Sequence, residues 1–133
     1  KMHKKYLAII HGYLDVIEGT LVNRIEKLDN KKVLIDTPKG KEAVLNYKVI
    51  KEKNNLSLVD INLVTGRYHQ IRLQFASINH PLYGDQKYNV NALIGQQIAL
   101  FACRIEFEHP TTHKLLTFSL PLPDRVPFNS FDD

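Results

Sequence analysis

The stretch from position 42 to position 78 limits the fold more than any other part of the chain. Ala43, Leu45, Tyr47 and Val49 alternate with Val44, Asn46 and Lys48, which predicts a strand over 42–52 with one richer apolar face. Lys53-Asn-Asn55 reads as a hairpin turn. Leu56 to Leu63 then returns, with Val59, Ile61 and Leu63 on one face and Asp60 and Asn62 on the other. Those two polar residues are either solvated or turned to a substrate cleft. Beyond Leu63 the period changes. Ile71, Phe75 and Ile78 follow the i, i+4, i+7 spacing of an amphipathic helix, expected over 68–78. Thr65 or Tyr68 stands near its start, with Thr65 the better capping residue. Asn79 tolerates the left-handed conformation that ends many helices, and Pro81 prevents resumption.

The flanks follow the same logic. Tyr6-Leu-Ala-Ile-Ile-His11 is apolar on both faces and reads as a buried strand ended by Gly12. Gly19 to Val22 and Val33 to Ile35 read as short strands around a polar turn, Lys27 to Lys32, with Thr37-Pro-Lys-Gly40 closing the second. Residues 81–97, with Pro81, Gly84, Asp85 and Gly95, read as a functional loop. Cys103, Ile105 and Phe107 alternate with Arg104, Glu106 and Glu108. His109 to His113 turns the chain, and Leu116, Phe118 and Leu120 return. Pro121 and Pro123 close the domain ahead of a loose acidic tail. The expected class is α+β, a mainly antiparallel mixed sheet with one central amphipathic helix.

A chain of 133 residues is sized for one domain and needs no disulfide staples. Its single cysteine, Cys103, cannot make an internal disulfide, which points to a reducing compartment such as the cytoplasm. Cys103 itself reads as a small buried hydrophobe. No apolar run approaches the ~20 residues of a membrane helix. Lys1, Lys4 and Lys5 precede only the brief apolar stretch from Tyr6 to Ile10, so no signal peptide is expected.

Charge is uneven. Residues 1–53 hold 12 Lys and Arg against 7 Asp and Glu, while residues 54–133 hold 6 against 7. The plain reading is a solvated surface; the sharper one is a basic face for a polyanion such as RNA. The densest polar cluster is Thr65-Gly-Arg-Tyr-His-Gln-Ile-Arg72, at the strand-to-helix junction. Gly66 is expected to let the backbone turn sharply. Arg67, His69 and Arg72 then lie within about 1.5 turns of a helix N-terminus. There the helix dipole disfavours each cation by about 0.3–1 kcal/mol. Two arginines at that point suit an anion held between them, a phosphate or a carboxylate from elsewhere. Arg72 adjoins the buried stripe at Ile71, so its charge needs a partner, and Asp85 across the loop is a candidate. His109 and His113 lie on a turn without a companion cysteine and do not read as metal ligands.

These residues also carry a resemblance. The run from Leu63 to Tyr88, with Thr65-Gly-Arg-Tyr-His-Gln-Ile-Arg72 followed by His80-Pro-Leu-Tyr-Gly-Asp85, resembles the signature of the RluA-type pseudouridine synthases. Lys5 to Gly12 is similar to the family's central strand. Leu100 to Lys114, continuing to Pro121-Leu-Pro123, is similar to its C-terminal hairpin. The resemblance implies isomerisation of uridine to pseudouridine in ribosomal or transfer RNA, without cofactor or metal. It implies that Tyr6 stacks on the target base near C5 and that Arg72 pairs with a catalytic aspartate, which it holds ionised and oriented. Leu100 then lines the base pocket. Arg67 and His69 support the cleft or contact RNA phosphate. Gly66, Gln70, Gly84 and Asp85 belong to the structural motif. The sequence departs from the family at Phe101, where many relatives have His, and at His113, where many have Gly. It also contains no H-R-L-D-type motif, where the family carries its catalytic aspartate. Residues 1–133 are therefore expected to be the C-terminal part of one catalytic domain, inactive alone. A catalytically dead RNA-binding module is the alternative. The Tyr6–His11 strand is expected to present an exposed edge and apolar cleft surface, and the chain to self-associate through one or the other.

Overall fold

The computed structural model describes residues 2–131, without the side chains of Met2, His3, Ile105, Phe107 and Phe118. The start at Lys1, the acidic tail at Asp132 and Asp133, and the expected inward faces of Ile105, Phe107 and Phe118 lie outside the described residues.

The strands are β1 (Met2–His11), β2 (Glu18–Lys27), β3 (Val33–Ile35), β4 (Lys41–Lys53), β5 (Leu56–Leu63), β6 (Leu100–Glu108) and β7 (Leu115–Ser119). One helix, α1 (Gln70–Ser77), follows β5, and a short 3-10 turn covers Phe128–Phe131. The turn between β4 and β5 narrows to two residues, Asn54 and Asn55, at φ 55° and 61°. This is the type I′ geometry that matches strand twist, and asparagine adopts it more readily than most residues. β2 is longer than the four residues expected. Its alternation is masked because an apolar residue, Val22, faces out and a polar one, Asn23, faces in.

The strands form one sheet in the order β3-β2-β4-β5-β1-β6-β7. Every ladder among the described residues is antiparallel, so the expected mixed character is absent. β1 sits between β5 and β6, which corrects the expected free edge at Tyr6–His11. Both of its sides are spent on backbone pairing, and the described edges are β3 and β7.

β1 buries both faces, as its composition requires. Ala8 and Ile10 pack with Leu45, Tyr47, Val59 and Ile61, beneath Ile71 and Phe75 of α1. Ile9 packs on the other side with Leu58, Ala99, Phe128 and Phe131. Helix α1 starts later than expected, and Thr65 does not cap it. The cap is His69, in the left-handed conformation at φ 52°. Thr65 Oγ1 instead donates to Gln70 Oε1 and accepts from the Val44 amide. The buried arc also differs. Ile71 and Phe75 are inside, but Ile78 is exposed, and Leu73 joins Ile25 and Ala43 on a second flank. Gln70 and Gln74 are buried because their amides donate to the Val44 and Ala43 carbonyls of β4. At the far end Asn79 has φ 66°. Its N–H reaches the Ala76 carbonyl while the His80 N–H reaches Phe75, closing a Schellman motif.

Candidate functional site

A cleft of about 280 Å³ opens over α1's N-terminus, lined by Tyr6, Leu63, Arg67, His69, Gln70, Ile71, Arg72 and Leu100. Three parts of the chain converge there: the middle of β1, the junction before α1, and the start of β6. Every sequence-predicted catalytic or substrate-contacting residue lies on its wall. Leu63 and Ile71 join them as apolar lining that sequence reasoning read only as core.

A bulge directs Tyr6. Lys5 opposes Arg104, but Tyr6 opposes Ala102, leaving Cys103 as the extra residue of β6. Bulges of this kind re-aim a side chain beside a site. The Tyr6 ring packs partly against the main core, and its hydroxyl makes no hydrogen bond among the described residues. The Cys103 thiol donates to the Lys5 carbonyl at 3.5 Å, and burial pushes its pKa up, so it stays a thiol.

Arg72 is held by Asp85. Nε donates to one carboxylate oxygen at 3.0 Å and Nη2 to the other at 2.8 Å, a bidentate fork. Nη1 is left without a hydrogen bond among the described residues. Asp85 is fully buried and also accepts from the Lys87 and Tyr88 amides, each at 3.1 Å. Burial by itself raises the carboxyl's pKa. The Arg72 hydrogen bond and the Tyr88 amide outweigh it and hold Asp85 below the usual carboxylate range. The hydrogen bond to Asp85 in turn raises the Arg72 guanidinium further. A buried, fully committed carboxylate cannot reach a substrate. Among the described residues, no aspartate or glutamate lines the cleft.

His69 stacks on Tyr68 with ring centroids 3.9 Å apart and shares a 2.7 Å hydrogen bond through Nδ1 with the Tyr88 hydroxyl. Burial, then the charges of Arg72 and Lys87, lower its pKa, so the ring is neutral at pH 7. A neutral imidazole tied to Tyr88 suits support of the cleft better than phosphate binding. Tyr88 also lies under the Arg72 guanidinium, 5.2 Å from it. The resembling run ends at Tyr88, but nothing in the sequence assigned it this part.

Arg67 uses one donor internally, Nε to the Glu42 carbonyl at 2.7 Å. Its Nη groups make no hydrogen bond among the described residues. Gln70 braces the junction, accepting from the Arg67 amide and the Thr65 hydroxyl on Oε1. The chain bends at Val64 and Thr65, just before Gly66; Gly66 itself has no left-handed φ, and a Cβ there would meet nothing within 4 Å. His69 takes the left-handed position instead. Gly84 is required by the backbone itself. Its φ is 74°, and a Cβ would run into the Gln97 carbonyl, so the glycine lets the loop's two limbs close around Asp85.

Known proteins resemble this chain in sequence and in fold. The family model described as RNA pseudouridylate synthase matches residues 1–77. An uncharacterised RNA pseudouridine synthase of Mycoplasma genitalium is 32% identical over 126 residues, covering 91% of this chain and 41% of its own length. Ribosomal large subunit pseudouridine synthase D of Blochmanniella floridana is 35% identical over 143 residues, covering 95% of this chain and 44% of its own. The chain thus spans about two-fifths of the length of the curated relatives it matches. Among solved structures, human RNA pseudouridylate synthase domain containing 1 superposes with a TM-score of 0.76 at 22% identity, covering 90% of this chain and 54% of that one. At that identity the likeness is one of fold.

Proposed function

This chain belongs to the RNA pseudouridylate synthase family, and on that premise we propose that its cleft receives a uridine of ribosomal or transfer RNA. The observation that carries the reading is the convergence of Tyr6, Arg72 and Leu100 on one cleft from three separate elements. In the proposed reaction the N1–C1′ bond breaks and the base turns. A C5–C1′ bond then forms, the proton on C5 leaves to solvent, and N1, now free of the sugar, takes up a proton in its place. Leu100, Leu63 and Ile71 supply an apolar slot for the base. Tyr6 stacks on it, with its unbonded hydroxyl beside C5. Arg72, gripped by Asp85 through Nε and Nη2, offers Nη1 to a second carboxylate. That carboxylate is the catalytic aspartate, which no described residue supplies. Arg67 meets phosphate, and His69 holds Tyr68 and Tyr88 in place.

The chain by itself is therefore inactive. The test is tritium release from RNA whose uridines are tritiated at C5, because that hydrogen is lost only when the new bond forms there. No release is expected from the 133-residue chain; release at a rate that scales with the chain and falls in Tyr6→Ala would refute inactivity. The cleft without a carboxylate also favours a second reading, an RNA-binding module with no turnover. A longer product of the same gene that releases tritium rejects that reading. Self-association is proposed through β7, the longer described edge, where Leu115 is exposed. Leu115→Lys is expected to lower the dimer fraction in light scattering, and an unchanged fraction rejects that edge.

A further inference from the structure

Beside the cleft, on the other side of Arg67, lies a second concavity of about 390 Å³. Its walls are Ile25, Glu26 and Lys27 at the end of β2, Lys39 just before β4, Lys41 at its start, and Gly66, Arg67 and Tyr68 before α1. We propose that this groove is a phosphate track that carries the RNA strand away from the cleft. The proposal rests on the functional reading above and specifies where the chain adjoining the target uridine runs.

Four features support it. First, four cations face one acid, Glu26, whose carboxylate is already accepting from the Thr37 hydroxyl at 2.8 Å. Lys39 and Lys41 have no acidic partner among the described residues. Unneutralised charge gathered in a concavity is the footprint of a polyanion site. Second, Arg67 belongs to both cavities and has spent only Nε, so its outer fork can bridge the nucleotide in the cleft to the next phosphate. Third, a stack divides the two spaces and fixes their spacing. His69 lies on Tyr68 at 3.9 Å, and Lys27 Nζ lies over the same ring at 4.3 Å. The ring thus holds Lys27 at the groove wall rather than serving as a platform for a base. Fourth, Gly66 sits on the groove lip with an ordinary φ and no neighbour within 4 Å of a Cβ. No described residue crowds that position, so the lip is open to close approach of a ligand backbone.

The experiment is fluorescence anisotropy of the full chain with fluorescein-labelled decauridylate over a series of salt concentrations. Each phosphate contact to a single strand contributes about −0.7 to the slope of log K against log salt. The triple variant Lys27→Gln, Lys39→Gln, Lys41→Gln is expected to bind at least tenfold more weakly at low salt and to flatten the slope by about 2. Gly66→Val is expected to weaken binding while keeping the wild-type Tm, since its side chain projects into open groove. Circular dichroism confirms that each variant is folded. Should either fail to fold, the Lys39→Gln, Lys41→Gln double variant, on exposed side chains, decides by a slope flatter by about 1.4. Unchanged affinity and slope in the lysine variants, with wild-type binding intact, overturn the track alone. No binding by the wild-type chain overturns the track and the RNA reading together. Equal displacement by polyglutamate of matched charge shows a general anion surface and also overturns the track.

Discussion

Arg72 and Asp85 join a buried carboxylate to a cation on the cleft wall, so each is costly without the other. Removing Arg72 strands a fully buried charge, and Arg72→Ala is expected to cost about 3 kcal/mol in urea unfolding. Arg72→Lys recovers only part of this, because an ammonium cannot reproduce the fork. The pH dependence follows from Asp85's depressed pKa. Near pH 4 the unfolded chain binds the proton that the folded chain refuses. Stability from this group is therefore present above the ordinary carboxylate pKa and lost as pH falls below it. Asp85→Asn is expected to flatten that acid limb in Tm measured from pH 6 to 3; an unchanged limb contradicts the assignment. Both residues were readable from the sequence, because a half-buried arginine needs a partner and the loop offered one. Tyr88 was not, because its part depends on the loop folding back over Arg72 and His69.

The helix and the hairpin show why some elements were readable and others were not. Asn79 and Pro81 marked the end of α1, and the Schellman bonds bear this out. Asn79→Gly is expected to keep or raise stability, while Asn79→Ala is expected to cost about 1 kcal/mol by thermal unfolding. At the β4–β5 turn Asn55→Gly is expected to raise stability by about 0.5–1 kcal/mol, since glycine suits the second position of a type I′ turn best. A lower Tm for that variant contradicts the turn geometry. The start of α1 was misread because Thr65 has the right chemistry for a cap, but Gln70 engages its hydroxyl. The bulge at Cys103 left no local mark at all. It follows from how β6 registers against β1, a pairing between segments nearly a hundred residues apart.

Across the whole molecule, alternation gave the strands and the apolar run at Tyr6–Ile10 gave a buried one. Composition could not give their order. Placing β1 between β5 and β6 decides the site, because it brings Tyr6 over α1's first turn and beside Leu100. The expected exposed edge at β1 failed for the same reason: the strand that carries Tyr6 has a paired neighbour on each side. The basic excess of residues 1–53, ambiguous as composition, is partly gathered at one place, the groove beside Arg67. The cleft joining Tyr6, Arg72 and Leu100 is proposed to take a uridine of RNA. This proposal is tested most directly by titrating the isotopically labelled chain with pentauridylate and following its nuclear magnetic resonance spectrum. The largest shifts are expected at Tyr6, Leu63, His69 and Leu100, and they should be lost in Tyr6→Ala. Binding that leaves these four signals unmoved, or that survives Tyr6→Ala unchanged, contradicts it.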